Sequence, residues 1–377
     1  MRKFFTSLFI IFALTAVASP DAAQIYRSTT RYVDFDGNAL FYYNTTELLK
    51  YWQQLPSVFA PVVLKFVDAP HDRIIPLVKD GADILNKTLN LQALKAVAGS
   101  SKRLKNGLFV NKLFLYVGND VNQPGAFNYS NFANDITIEQ FLTSLPEDVI
   151  LANMFQLTPG DFYAELDKNI NTSTNQELLM AYNMLKISLV SMGIDPVKLS
   201  ASANGKYLLF IAGNSPESFR FSLVIPDSTG NISAALKQAF PPATATPDRS
   251  MLPAQHGMNP ALLYLDKSIV LVSDFDRCTK IYKSFGIPES FRRLVPAKAG
   301  AYGVINISQQ LIDNMQTIIP NDKEVRGVLM KLLFGIKPGL SVHATTVERD
   351  GARIIDIADF SIEDAYYKFL MRTAYIR

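Results

Sequence analysis

Four side chains of the kinds that carry metal or nucleophilic chemistry stand far apart in this 377-residue chain: His71, His256, His343 and the only cysteine, Cys278. A zinc site needs two histidines one helical turn apart, or histidines interleaved with cysteines, and neither spacing occurs. His71 follows Pro70 and precedes Asp72, the pattern of a helix start where a carboxylate meets the positive end of the helix. His256 falls in a proline-rich connection, and His343 on the solvent side of an expected strand. Cys278 comes after Ser273-Asp274-Phe275-Asp276-Arg277, a strand end followed by a capping residue, and so reads as a half-buried helical cysteine with no base beside it.

Other catalytic signatures are equally thin. No G-x-S-x-G elbow is present, and Gly99-Ser100-Ser101-Lys102 reads as a polar turn between a helix and the strand beginning near Gly107. Without a Walker or dinucleotide glycine pattern, a nucleotide cofactor has no phosphate cradle. Asp34-Phe35-Asp36-Gly37-Asn38 opens like a calcium loop, but Ala39 and Thr45 occupy the positions that need glycine and a carboxylate. The flanks Tyr32 to Phe35 and Ala39 to Tyr43 predict a hairpin turn instead. The sequence thus assigns no catalytic, cofactor-binding or metal-binding residue. A carboxylate pair for hydrolysis would be set by tertiary geometry, which leaves a hydrolase as the alternative class.

Composition narrows the partners. Hydrophobic residues make up 48% and charged residues 19%, which supports a sizeable core, and the net charge of +3 comes without a dense basic block. Nucleic acid is therefore disfavoured as a partner. The chain has 25 Phe, 16 Tyr and one Trp. Aromatics such as Phe41 and Tyr43 are expected on core-facing sides, and the scarcity of Trp argues against a sugar-stacking platform.

Arg2 and Lys3 lead an apolar run from Phe4 to Val17 that closes on Ala16-Val17-Ala18, the pattern of a secretory signal peptide cleaved after Ala18. No later run reaches the ~20 apolar residues that span a bilayer, so no transmembrane anchor is expected after cleavage. A single cysteine means no internal disulfide in an oxidising compartment. The sequence therefore points to export, periplasmic or extracellular, with the sequons at Asn44, Asn86, Asn128, Asn171, Asn231 and Asn306 arising from composition.

Three places share one local pattern, a short apolar run, a polar cap and an amphipathic helix: Ala39 to Tyr43 before Glu47 to Leu55, Val149 to Phe155 before Gly160 to Asn169, and Ala301 to Ile305 before Gln309 to Ile319. Further helices are expected at Pro56 to Asp68, His71 to Leu85 and Asn175 to Met192. Strands are expected at Gly107 to Val117, Tyr207 to Ala212, Phe219 to Ile225 and Ile269 to Ser273. Leu340 to Glu348 and Ala352 to Phe360 form a hairpin about Arg349-Asp350-Gly351, with Val342, Ala344 and Thr346 inward. The fold class is α+β: two or three modules, each a mainly antiparallel sheet with helices packed on one face. Residues 1–18 are the signal, 19–135, 136–245 and 261–377 the modules, and 246–260 a proline-rich connection.

The segments Leu89 to Ser101, Asn106 to Tyr116 and Gly193 to Pro226 resemble uncharacterised secreted bacterial proteins built from repeated α+β modules. That resemblance implies fold and location and supplies no site residues. The combined expectation is a non-enzymatic envelope protein with a binding or structural role, its partner an envelope protein or polymer, with a periplasmic hydrolase working from a cleft between modules as the alternative.

Overall fold

A computed structural model describes residues 25–27, 32–45, 71–117, 134–215, 217–254, 258–318, 338–350 and 354–363. Its strands are β1 (Ala39–Asn44), β2 (Leu94–Arg103), β3 (Phe109–Val117), β4 (Ile136–Thr137), β5 (Val149–Leu157), β6 (Gly205–Ala212) and β7 (Arg220–Pro226). They continue with β8 (Arg249–Met251), β9 (Ala261–Leu265), β10 (Ser268–Val272), β11 (Lys298–Ala299), β12 (Ala301–Ile307), β13 (Gly339–Asp350) and β14 (Ile354–Glu363). The helices are α1 (His71–Thr88), α2 (Ile138–Thr143), α3 (Pro159–Asn171), α4 (Gln176–Ser191), α5 (Pro196–Ser202), α6 (Asn231–Ala239), α7 (Phe275–Cys278), α8 (Glu289–Arg292) and α9 (Gln309–Ile318).

The α+β class holds, and its main sheet is antiparallel throughout. Among the described residues, twelve strands run in the order β1-β2-β3-β14-β13-β12-β5-β6-β7-β10-β9-β8, and β4 pairs with β11 in a small second sheet. Strands from all three expected segments share that main sheet. The last hairpin, β13–β14, sits between β3 and β12, with Ile355 to Glu363 in register against Val117 to Phe109. Its pairing brings Asp350 opposite Ile354, so the chain reverses where the sequence predicts.

Register decides which side chains meet. Ala152, Val304, Val342 and Ile362 lie in one cross-strand row, all buried. Period-two alternation then puts Met154, Tyr302 and Ala344 on the same face. This face is closed by Ile138, Phe141 and Leu142 of α2 together with Phe285, Phe291 and Val295. Phe141 stacks on Tyr302 at 5.7 Å between ring centroids, and the Tyr302 hydroxyl donates to the Pro296 carbonyl at 2.7 Å. Burial pushes that phenol up to about 12.

At the β8 end the apolar row changes face. Leu262, Tyr264 and Ile269 are buried against Ile232 and Leu236 of α6, on the side opposite Val304. Helices therefore cover different faces of the main sheet at its different wings.

Helix α6 is anchored through Asp227, which is 2% exposed. Its carboxylate accepts from the Ser202 hydroxyl and from the N–H groups of Ile232 and Ser233 at 3.1 and 2.8 Å. Burial opposes the charge, yet these donors hold Asp227 below the ordinary aspartate range. A lowered folded pKa means stabilisation that is complete above about pH 5 and lost as pH falls from about 3.9 through the folded value. Urea unfolding at pH 6 and at pH 3 should show a larger loss for the native chain than for Asp227→Asn. Equal losses would contradict this assignment.

Three local expectations need correction. Gly99-Ser100-Ser101-Lys102 is no turn; it lies inside β2, held between β1 and β3. Tyr32 to Phe35 forms no strand, so Asp34 to Asn38 is a turn but not a hairpin, tied down by Lys112 to Asp34 at 3.0 Å and Lys102 to Asp36 at 2.6 Å. Phe41 and Tyr43 lie on an edge strand and are exposed, with the Phe41 ring resting on Gly99, where a Cβ would stand 2.3 Å away. Phe41→Ala should therefore cost about 1 kcal/mol, not the ~3–5 kcal/mol of a core phenylalanine. A loss above about 3 kcal/mol in urea melts would place the ring in the core.

The expected helices Glu47 to Leu55 and Pro56 to Asp68 lie outside the described residues.

Candidate functional site

Helix α4 begins at Asn175, whose side-chain oxygen accepts from Leu178 N at 3.0 Å while its amide donates to Asp80 of α1 at 2.5 Å. The run that follows is rich in Leu and Met, both strong helix formers. It stops at Gly193, whose φ of +78° suits the close in which Ile194 N bonds back to Leu189 O at 2.9 Å. Asp195 then caps α5 through Val197 N and Lys198 N, with Pro196 in the first turn. Between the two helices the axis turns by 76°.

The inward side of α4 sets Tyr182 and Lys186 among the half-buried Leu178, Leu179 and Leu189. Tyr182 donates to Asp167 of α3 at 2.7 Å and meets the Tyr163 hydroxyl at 2.9 Å, and Lys186 reaches the same carboxylate at 2.7 Å. Burial works against the Asp167 charge, but the Lys186 and Tyr182 donors keep its pKa below the usual carboxylate range. Burial, then the hydrogen bonds to Tyr163 and Asp167, drive the Tyr182 phenol upward.

The outward side is apolar. Met180, Met184, Leu185, Ile187, Val190 and Met192 are exposed, Ile187 by 69%, and no residue of the helix is buried. At 100° per residue these side chains span an arc of about 200°. From Met180 to Met192 only Asn183, Ser188 and Ser191 interrupt it, and none carries charge; Gln176 and the exposed Glu177 of the first turn lie on the same side and mark its N-terminal limit. A surface helix ordinarily turns its apolar stripe to the core and its polar face to water. Here the helix is tethered by polar groups and presents its apolar side to solvent, which is the mark of a surface meant to be covered.

A second feature is a trough of about 260 Å³ on the face of the main sheet opposite α2, lined by Leu151, Asn153, Ala301, Gly303, Ile305, His343 and Thr345. Asn153, Gly303 and His343 lie side by side in register on β5, β12 and β13. A Cβ on residue 303 would stand 2.5 Å from Asn153 Oδ1, so only glycine leaves room for that amide. Ser341 Oγ and His343 Nε2 are 2.8 Å apart, a serine–histidine contact. Among the described residues lining the trough, the rest of an acyl-transfer site is not present. Ser341 is 1% exposed, no lining residue is acidic, and the strand N–H groups are engaged in the ladder, leaving no oxyanion donors. The volume also falls under the ~300 Å³ at which small-molecule pockets begin.

The other sequence candidates do not converge. His71 opens α1, His256 lies outside the described residues, and His343 is half-buried in the trough. Cys278 ends α7 and donates to Phe221 O at 3.5 Å, and burial pushes its thiol up, away from nucleophilic use. Among the described residues no group of three or more His, Cys, Asp or Glu could hold a metal ion. Asn306, one of the sequons, donates its amide to Val149 O at 3.0 Å, inside the fold. The apolar arc of α4 is the surface feature that motif reasoning missed. Its trace in sequence is that Leu178 to Ile194 holds one charged residue, Lys186.

Comparison with models of known families, with curated proteins and with solved structures found no match.

Proposed function

We propose that this chain is an exported envelope protein with a non-enzymatic binding role, and that it docks through the outward arc of α4. The observation behind it is the apolar surface that helix leaves in water: Tyr182 and Lys186 tether it inward among three half-buried leucines, while Met180, Met184, Leu185, Ile187, Val190 and Met192 stand outward. Leaving several large apolar groups in water forfeits on the order of 1.5–3 kcal/mol each, a cost a binding partner removes. The trough around Gly303 supplies a polar patch without a reachable nucleophile, so it adds nothing in favour of hydrolysis.

Two measurements test the reading. The exported chain should begin at Ser19 or within a residue or two when its N-terminus is sequenced by mass spectrometry; an intact Met1 in the exported form would refute export by cleavage. Retention on an immobilised envelope fraction should be strong for the native chain, and a chain that washes through unretained would refute docking.

A further inference from the structure

We propose that the surface α4 docks on is a lipid bilayer, with the helix lying in the membrane plane and Val197 of α5 dipping beside it. The inference rests on the docking role of the arc and adds what covers it.

Size, shape and charge favour lipid over protein. The 16 residues of α4 make a rod about 24 Å long. Half the surface of such a rod, about 11 Å across, is on the order of 400 Å². A stable protein interface takes about 800 Å² from each partner, so α4 alone is too small for a second copy. A protein groove or a facing helix covers a stripe of about 100°, yet the apolar arc spans twice that; acyl chains can cover all of it. At 24 Å the helix falls short of the ~30 Å hydrocarbon core. Among the described residues no single helix is long and apolar enough to cross a membrane; α4 and α5 pass that test only together, across their 76° bend. A bent, short, apolar pair fits insertion from one side.

Charge placement agrees. Lys186 is held inward on Asp167, and Asp195 is engaged as the cap of α5. Glu177, exposed in the first turn on the same side, sets the N-terminal limit of insertion; along the arc from Met180 to Met192 nothing charged would have to enter the acyl region, and no basic cluster there calls for anionic headgroups. Binding should therefore be driven by apolar insertion and be nearly indifferent to salt.

The test is flotation of the exported chain, purified from its own compartment, with phosphatidylcholine vesicles with and without phosphatidylglycerol. Half-saturation is expected near 0.1–1 mM lipid, in the range of a single acyl anchor. Ile187→Glu should weaken it at least about tenfold, and Ser188→Leu should strengthen it about fivefold, with unchanged circular dichroism. Phosphatidylglycerol should change it by less than about threefold, since each basic contact would be worth about fivefold. Binding only to anionic vesicles, or binding untouched by Ile187→Glu, would overturn the proposal. If vesicles fail to float the chain while envelope retention stays sensitive to Ile187→Glu, the lipid assignment falls and docking through α4 stands. If neither surface holds the chain, both fall.

Discussion

Asp148→Ala is expected to destabilise the chain by about 3–5 kcal/mol in urea unfolding, although Asp148 lies in no site and at the start of no motif. Among the described residues Arg220 is the largest fully buried side chain, 1% exposed, and its guanidinium donates to both Asp148 oxygens at 2.8 and 2.6 Å. It also reaches the Ser218 carbonyl at 3.2 Å and stands 3.7 Å from the Tyr282 ring centroid. Removing the carboxylate leaves a cation that can neither reach water nor lose its proton. The ring contact, worth about 2 kcal/mol when desolvated, offsets part of that cost and not the whole. Arg220→Met should be milder, because the Asp148 side chain is 17% exposed and can rehydrate. Combining Arg220→Met with Asp148→Ala should recover most of the loss, since an absent pair costs less than a broken one. A loss below about 1 kcal/mol for Asp148→Ala would show that the guanidinium is solvated.

Met184→Glu together with Ile187→Glu should abolish envelope retention, by a hundredfold or more, while leaving the melting temperature almost unchanged. Both positions are more than 60% exposed, so folding gains little from them, and surface changes of this kind stay within about 0.5 kcal/mol. Docking is different, because each carboxylate must be carried into the covered surface at about 2.5–3.5 kcal/mol for a bilayer centre and less at its edge. Met180→Leu keeps the arc apolar and should leave retention within about twofold. Retention that survives the double change would remove α4 from the binding surface.

Strong periodicity carries directly into the fold. Val342 and Ala344 are inward as alternation requires, and α3, α4 and α9 start within a residue or two of their sequence signals. Strand β2 is not legible in the sequence, because apart from Leu94, Val97 and Arg103 it is made of Ala, Gly, Ser and Lys, small or polar residues that pair here between β1 and β3. Nor could alternation reveal that β1 is an edge, which is why Phe41 reads as core and proves exposed. The Ser341 side shows a further limit. It belongs to the expected wet face, yet Ser341 is buried, since the width of the sheet screens its centre whatever the residue type. Partners 72 residues apart, as Arg220 and Asp148 are, meet only through the ladder of β5, β6 and β7. The arc of α4 sits between these cases. Its lack of charge from Met180 to Met192 is plain in the sequence, but its exposure follows from Tyr182 and Lys186 turning to Asp167.

The most direct measurement places a polarity-sensitive dye at Ile187→Cys in a Cys278→Ala background and follows its emission as envelope membranes are added. A second labelled chain carries the dye at the fully exposed Ile281 as a reference for solvent. A blue shift at position 187, with none at 281, is the result that docking through α4 predicts. Emission at 187 that stays water-like while the chain sediments with the membranes would contradict it.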